Sequence, residues 1–264
     1  LQVAEGCRAS LGLNIGPVVT TEVPLEIRLH QASSQTSWGV LEQPDALLKA
    51  GEKLKDAGAT AIAVVTRFPD DSGSAVLENY RKGKGVDVLS GAEAVISHLL
   101  VKQFCLPCAH APALSSLPVD TDLDPRAAGE ELGHTFLPCV LVGLSRAPDL
   151  LPVTRENCIE GFRIPGTLHV DQLGALVAPE GALGGASVLS CLERNVPLIV
   201  VSNSNVLNVT SQALDLKNEV IEKKNSILLH ANNFIEAAGL IVLLREGISA
   251  ESLCRPISRI GELN

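Results

Sequence analysis

The residues of this chain that could move protons or hold charge fall in short polar clusters, each following an apolar run. Ala109-His110-Ala111-Pro112 reads as a strand-to-loop turn between small residues, a setting in which an imidazole suits proton transfer. His98 lies in an apolar helical stretch, where a satisfied core histidine is the ordinary explanation; it stands second to His110 as a catalytic candidate. Asp70 and Asp71 are adjacent carboxylates beside Arg67. Asp70 could work with His110 in acid/base chemistry or hold a divalent metal through oxygen, whereas Asp-Asp-Ser-Gly is equally a solvated turn. Arg67 and Arg146, the latter preceded by Ser145, are candidate clamps for an anionic ligand. Ser202, Asn203 and Asn205 follow another apolar run and could orient a substrate. Gly184 and Gly185 open a helix after a strand, so their free N–H groups could meet phosphate or carboxylate.

Other signals are set aside on chemical grounds. Cys105 and Cys108 form a Cys-x-x-Cys, but a structural zinc site needs a second ligand pair, and a redox pair needs a helix opening after the first cysteine. Ser90-Gly91-Ala92-Glu93 matches a capping box, which would occupy Glu93 with backbone donors. There is no Gly-x-Ser-x-Gly elbow, no Gly-Lys-Ser/Thr ending and no Gly-x-Gly-x-x-Gly fingerprint.

These clusters need elements to place them. Leu1 to Leu11 reads as helix, and the first third then reads strand, strand, helix, strand. Pro24 to Leu29 alternates apolar and polar side chains, as a half-buried strand does, and Ser33 to Trp38 reads as polar loop. Pro44 suits the first turn of a helix ended by Gly58, and Ala61 to Val65 is an apolar run expected to be buried on both faces. A helix from Ser90, a strand at Leu106 to Ala109, a short helix capped by Asp124 and a strand at Leu137 to Val142 follow. Beyond a mixed polar stretch, Arg146 to Pro165, come strands at 175–177, 198–201 and 227–229, with helices at 186–192 and 234–244, the last read as buried. Gly91 to Leu99 resembles Gly184 to Leu192, each a helix feeding a strand. The expectation is an α/β fold, a mostly parallel sheet flanked by helices, as two related lobes (1–150 and 151–264) or one continuous domain. In such sheets ligands bind beyond the carboxyl ends of the strands, where all of these clusters are expected to lie.

Bulk properties narrow the partners. The net charge of −9 and the seven aromatic residues in all argue against nucleic acid and anionic membranes. Seven scattered cysteines make no disulfide framework and fit a reducing compartment. No apolar run approaches the ~20 residues that span a bilayer. The chain starts at Leu1 and holds no methionine, as an excised core or processed product would.

Arg67-Phe68-Pro69-Asp70-Asp71, Gly91 to His98, Ala109 to Ala113 and Val142 to Pro148 together resemble an uncharacterised family, the domain-of-unknown-function 3326 family of cyanobacteria and plant plastids. The resemblance covers most of the chain. It implies cyanobacterial cytoplasm or plastid stroma and an upstream Gly-rich segment, and it supplies no activity. Two functions fit the residues. One is an enzyme acting on a small anionic metabolite by acid/base chemistry at the strand edge, with a divalent metal as an optional cofactor. The other is a non-catalytic ligand-binding or plastid/cyanobacterial assembly factor. A homo-oligomer is compatible with both. Convergence of His110, Asp70 and Arg146 would mark the enzyme.

Overall fold

The computed structural model describes residues 1–33, 36–68, 73–113, 119–125, 127–128, 136–152, 165–203, 207–216, 228–257 and 259–261. The chain divides into two compact units, Leu1–Phe162 and Arg163–Asn264. Both are built on parallel strands flanked by helices, so the protein has an α/β fold.

The first unit opens with helix α1 (Gln2–Leu11), followed by an antiparallel hairpin of β1 (Ile27–Gln31) and β2 (Ser37–Leu41). β1 begins later than the alternation suggests because Glu26 takes a left-handed φ of 51°. β2 takes in Ser37 and Trp38, expected as loop; the polar run before them and the glycine after them read as a turn, and the strand's alternate positions are exposed. Helix α2 (Pro44–Asp56) has its proline in the first turn, as expected. Strand β3 (Ile62–Arg67), helix α3 (Ala75–Arg81), helix α4 (Ser90–Phe104) and strand β4 (Cys108–Ala113) then form a crossover that pairs β3 and β4 in parallel.

Side-chain alternation assigns the two faces of that pair. Ile62, Val64 and Cys108 pack with Ile96 and Leu100 of α4 in one core that also takes Leu47 of α2 and Leu25. The opposite face carries Ala63, Val65, Arg67 and Ala111, and helix α5 (Phe136–Leu144) packs on this strand pair. Val65 is 53% exposed, so β3 is not buried on both faces.

Helix α5 overturns the expected strand at Leu137 to Val142. Phe-Leu-Pro-Cys-Val-Leu-Val-Gly-Leu is apolar at every position, and such a run carries no periodicity to separate strand from packed helix. Ser145 and Arg146 therefore follow a helix, not the carboxyl end of a strand.

In the second unit β5 (Leu176–Pro179), helix α6 (Ala186–Glu193), β6 (Leu198–Val201), β7 (Leu228–Ala231) and helix α7 (Phe234–Glu246) make a three-stranded parallel sheet ordered β5-β6-β7. All of β6 is buried, as a central parallel strand requires. Leu176, Ala178, Leu198 and Val200 face Val188 and Leu192 of α6. Ile199, Val201 and Ala231 face Ala237, Leu240 and Leu244 of α7. Helix α7 is not the buried helix expected: only Ala237 is fully buried, and Ile235, Ile241 and Val242 are exposed. Its apolar composition masks a one-sided helix.

Candidate functional site

Helix α4 presents two rows of side chains to β4. Ala92, Ile96 and Leu100 repeat every four residues and are fully buried. One position along, Glu93 and Ser97 repeat with the same spacing, so both side chains lie on one stripe of the helix one turn apart. Facing them is His110 of β4, on the same sheet face as Cys108.

The three side chains form one polar cluster inside the first unit. Ser97 Oγ and His110 Nδ1 share a hydrogen bond, and Ser97 Oγ also donates to the Glu93 carbonyl at 3.4 Å. Giving its hydrogen to that carbonyl lets Ser97 accept from Nδ1–H, the tautomer in which Nε2 is the basic nitrogen. Nε2 lies 3.7 Å from Glu93 Oε2, too long for a direct hydrogen bond, so neither proton is committed to the other group. The Glu93 side chain is 12% exposed and His110 29%, so His110 is the member open to a reactant while Ser97 is buried.

Burial changes the charge states. Desolvation, reinforced by the nearby Asp87 carboxylate, pushes the Glu93 carboxyl up to about 7. Desolvation first, and the neighbouring His98 second, hold His110 below its ordinary value. The proton arrangement is therefore inverted from a surface Glu–His ion pair. Near neutral pH a carboxyl that still keeps much of its proton faces a neutral imidazole.

The amino end of α4 is fixed by close backbone packing. Leu89 is its N-cap and no side chain caps it, so the expected capping box does not form and Glu93 is released for the cluster. Ser37 Oγ bonds Ser90 Oγ at 3.2 Å and accepts from Gly91 N–H at 3.3 Å, tying α4 to β2. Gly39 packs against Ala92, and Gly91 against the Ser37 carbonyl, with no space for a Cβ at either glycine.

The other expected site residues are distributed as follows. His110 lies within β4 and not in a turn, because the strand runs on to Ala113. His98 is exposed on α4, not a core histidine, and acts on His110 through its charge. Arg67 alternates onto the opposite side of β3 from the position that pairs with His110 and is exposed, and Arg146 follows the end of α5. The Arg67 side chain thus leaves the strand pair on the other face from His110. Asp70, Asp71 and Asn205 lie outside the described residues, and among the described residues the side chains that meet His110 are Ser97 and Glu93. Ser145 is exposed and bonds back to the Val142 carbonyl at 2.7 Å. Among the described residues no three His, Cys, Asp or Glu side chains cluster to hold a metal. Cys108 has its thiol pushed up to about 11 by burial, away from thiolate chemistry.

In the second unit Gly185 is the N-cap of α6 and Gly184 precedes it, both exposed, while Ser202 and Asn203 follow β6. Glu180, which extends β5, was not singled out by sequence. Neither was Ser97, although two polar residues four apart beside an apolar stripe were a readable signal.

The family model described as "Protein of unknown function (DUF3326)" matches residues 1–254. The chain belongs to this family. An uncharacterized lipoprotein of a Synechococcus strain is 44% identical to it over 264 residues, all of this chain and 69% of the relative. No solved structure matches. Among the described residues of this DUF3326 member, no helix is long and apolar enough to cross a membrane.

Proposed function

We propose that this protein is an enzyme that transfers a proton on a small metabolite, with His110 as base and Glu93 as acid. The carrying observation is the Glu93 carboxyl set 3.7 Å from His110 Nε2, with His110 Nδ1 hydrogen-bonded to Ser97 and both groups withdrawn from water, which raises the pKa of the carboxyl and lowers that of the imidazole. In the first step His110 Nε2 takes a proton from carbon next to a carbonyl, and Glu93 donates its proton to the developing enolate oxygen. Re-protonation of carbon by His110 and return of the Glu93 proton restore both groups. Each residue suits its role because burial places its protonation state where neutral pH needs it. Arg67 alternates onto the other face of β3 from His110 and is not counted as an anion clamp for this site, so the metabolite class proposed is a carbonyl compound without a required charge. The setting proposed is cyanobacterial cytoplasm or plastid stroma, with the lipoprotein name belonging to the relative.

Deuterium wash-in tests this reading. The protein is incubated in D2O with a small-molecule extract of a cyanobacterium, and metabolites are scanned for a gain of one mass unit. Wild type is expected to label at least one carbonyl compound, and His110→Asn and Glu93→Gln to lower the labelling rate by about 100-fold or more. Absence of labelling with wild type between pH 6 and 8 (roughly the working range of these groups) discards the reading.

A further inference from the structure

In the second unit the chain continues the sheet for one residue past β5, where Glu180 N–H donates to the Val201 carbonyl at 2.7 Å. Glu180 therefore follows Leu176 and Ala178 onto the α6 side, and the register places Ser202 beside it on the next strand. The carboxylate is held from one side only. Its Oε1 accepts from both the N–H (3.0 Å) and the hydroxyl (2.9 Å) of Ser211. The loop carrying Ser211 is itself zipped to the β5–α6 turn: Val209 N–H donates to the Gly181 carbonyl at 2.9 Å, and Leu183 N–H to the Val209 carbonyl at 3.0 Å. Gly181, at φ +97°, meets the Leu207 carbonyl with no space for a side chain. Two backbone strands thus lock Glu180 in one orientation.

Its second oxygen has no such support. Oε2 is buried and, among the described residues, has no hydrogen-bond partner. A buried carboxylate oxygen without a donor is costly, and a rigid clamp on its twin prevents it from turning away. No ion pair of Glu180 offsets the charge among the described residues. The missing complement is a positively charged N–H donor small enough to enter the edge of the sheet beside the exposed Ser202. This edge, beyond the carboxyl ends of parallel strands, is where such folds take ligands.

We infer that Glu180 is the recognition carboxylate of a second small-molecule site. It takes the primary ammonium group of a metabolite between its Oε2 and the Ser202 hydroxyl. The site stands apart from the Glu93–His110 reading: either can fail alone. A thermal-melting comparison in methylammonium, tetramethylammonium and potassium chlorides at equal concentration tests it. All three cations carry one positive charge, and methylammonium alone has N–H donors. The expected result is a melting midpoint that climbs with methylammonium above the other two salts, with the difference lost in Glu180→Gln. Equal melting in the three salts, or the same gain in Glu180→Gln, overturns the inference. Should Glu180→Gln fail to fold, the Glu180 carboxyl carbon resonance of the native protein gives the answer. It is expected to move with methylammonium and to stay fixed with tetramethylammonium; a resonance that responds to neither, or to both alike, overturns it.

Discussion

Glu93 and His110 pull the pH dependence of stability in opposite directions. Glu93 binds its proton more tightly folded than unfolded, so its contribution is fully present below about 4.5 and is lost as pH rises through about 7. His110 is held below its ordinary 6.5, so its contribution is present above 6.5 and is lost as pH falls through its lower folded value. Where the windows overlap, just below 6.5, the two slopes cancel. Glu93→Gln is expected to remove the first, leaving a protein that only loses stability on acidification through this range. His110→Asn should do the reverse and gain stability towards pH 4.5, by about 1–2 kcal/mol after allowance for solvent screening. Urea titrations at pH 5, 6 and 7 (bracketing roughly these windows) measure both, and identical slopes in the two variants would show that the groups do not titrate as described. Ser97→Ala frees the imidazole from its fixed tautomer while leaving Glu93 in place. Histidine NMR is expected to show both tautomers of His110 in that variant and one in the native protein.

At the scale of elements, the position of α4 decides whether the cluster exists, and that position depends on glycines. A methyl group at Gly39 would strike Ala92, and one at Gly91 would strike backbone of Ser37. Either substitution by alanine should cost about 1–3 kcal/mol through overpacking. Because it pushes on the turn that carries Glu93, it should also move the His110 resonances. Gly239, on α7 with open space around its α-carbon, is the control: Gly239→Ala in the helix interior is expected to stabilise by about 0.5–1 kcal/mol. Helix α7 is capped by Asn233, whose Oδ1 accepts from Glu236 N–H at 2.9 Å. Asn233→Ala should lower stability by about 1 kcal/mol. Ile235 adds nothing to that anchoring, since it is 87% exposed.

For the whole molecule, each unit has its own buried core. Ile96 belongs to the first, among α2, α4, β3 and β4, and Ile199 to the second, between the β5-β6-β7 sheet and α7. Ile96→Ala and Ile199→Ala each remove a fully buried side chain and should cost about 2–5 kcal/mol. Hydrogen exchange is expected to report the first in the amides of α4, β3 and β4, and the second in those of β5, β6 and β7. Loss of protection spread evenly over the chain by either variant would contradict separate cores. The lobe division proposed from sequence, 1–150 and 151–264, is tested by the same exchange map.

Most helices and strands were legible in the residues alone, because their signals are local: Pro44 in a first turn, an apolar run at 198–201, an alternation ending at Leu29. The sequence failed where an apolar run lacked a period, at α5, and it left Ser37 and Trp38 of β2 in a loop. It also pointed to His110 without the partners of His110. Glu93 looked like a cap because Ser-Gly-Ala-Glu has the right spacing, and only the packing of β2 on α4 shifted the N-cap to Leu89 and turned Glu93 inward. Arg67 and Arg146 looked like its companions because they follow apolar runs, but the alternation of β3 turns Arg67 to the other face, and the helical form of α5 takes Arg146 off the end of a strand. A side chain's chemistry is written in its type. Its charge state and its neighbours follow from desolvation and from contacts between residues distant in the chain, and those exist only once α4 is laid against β4.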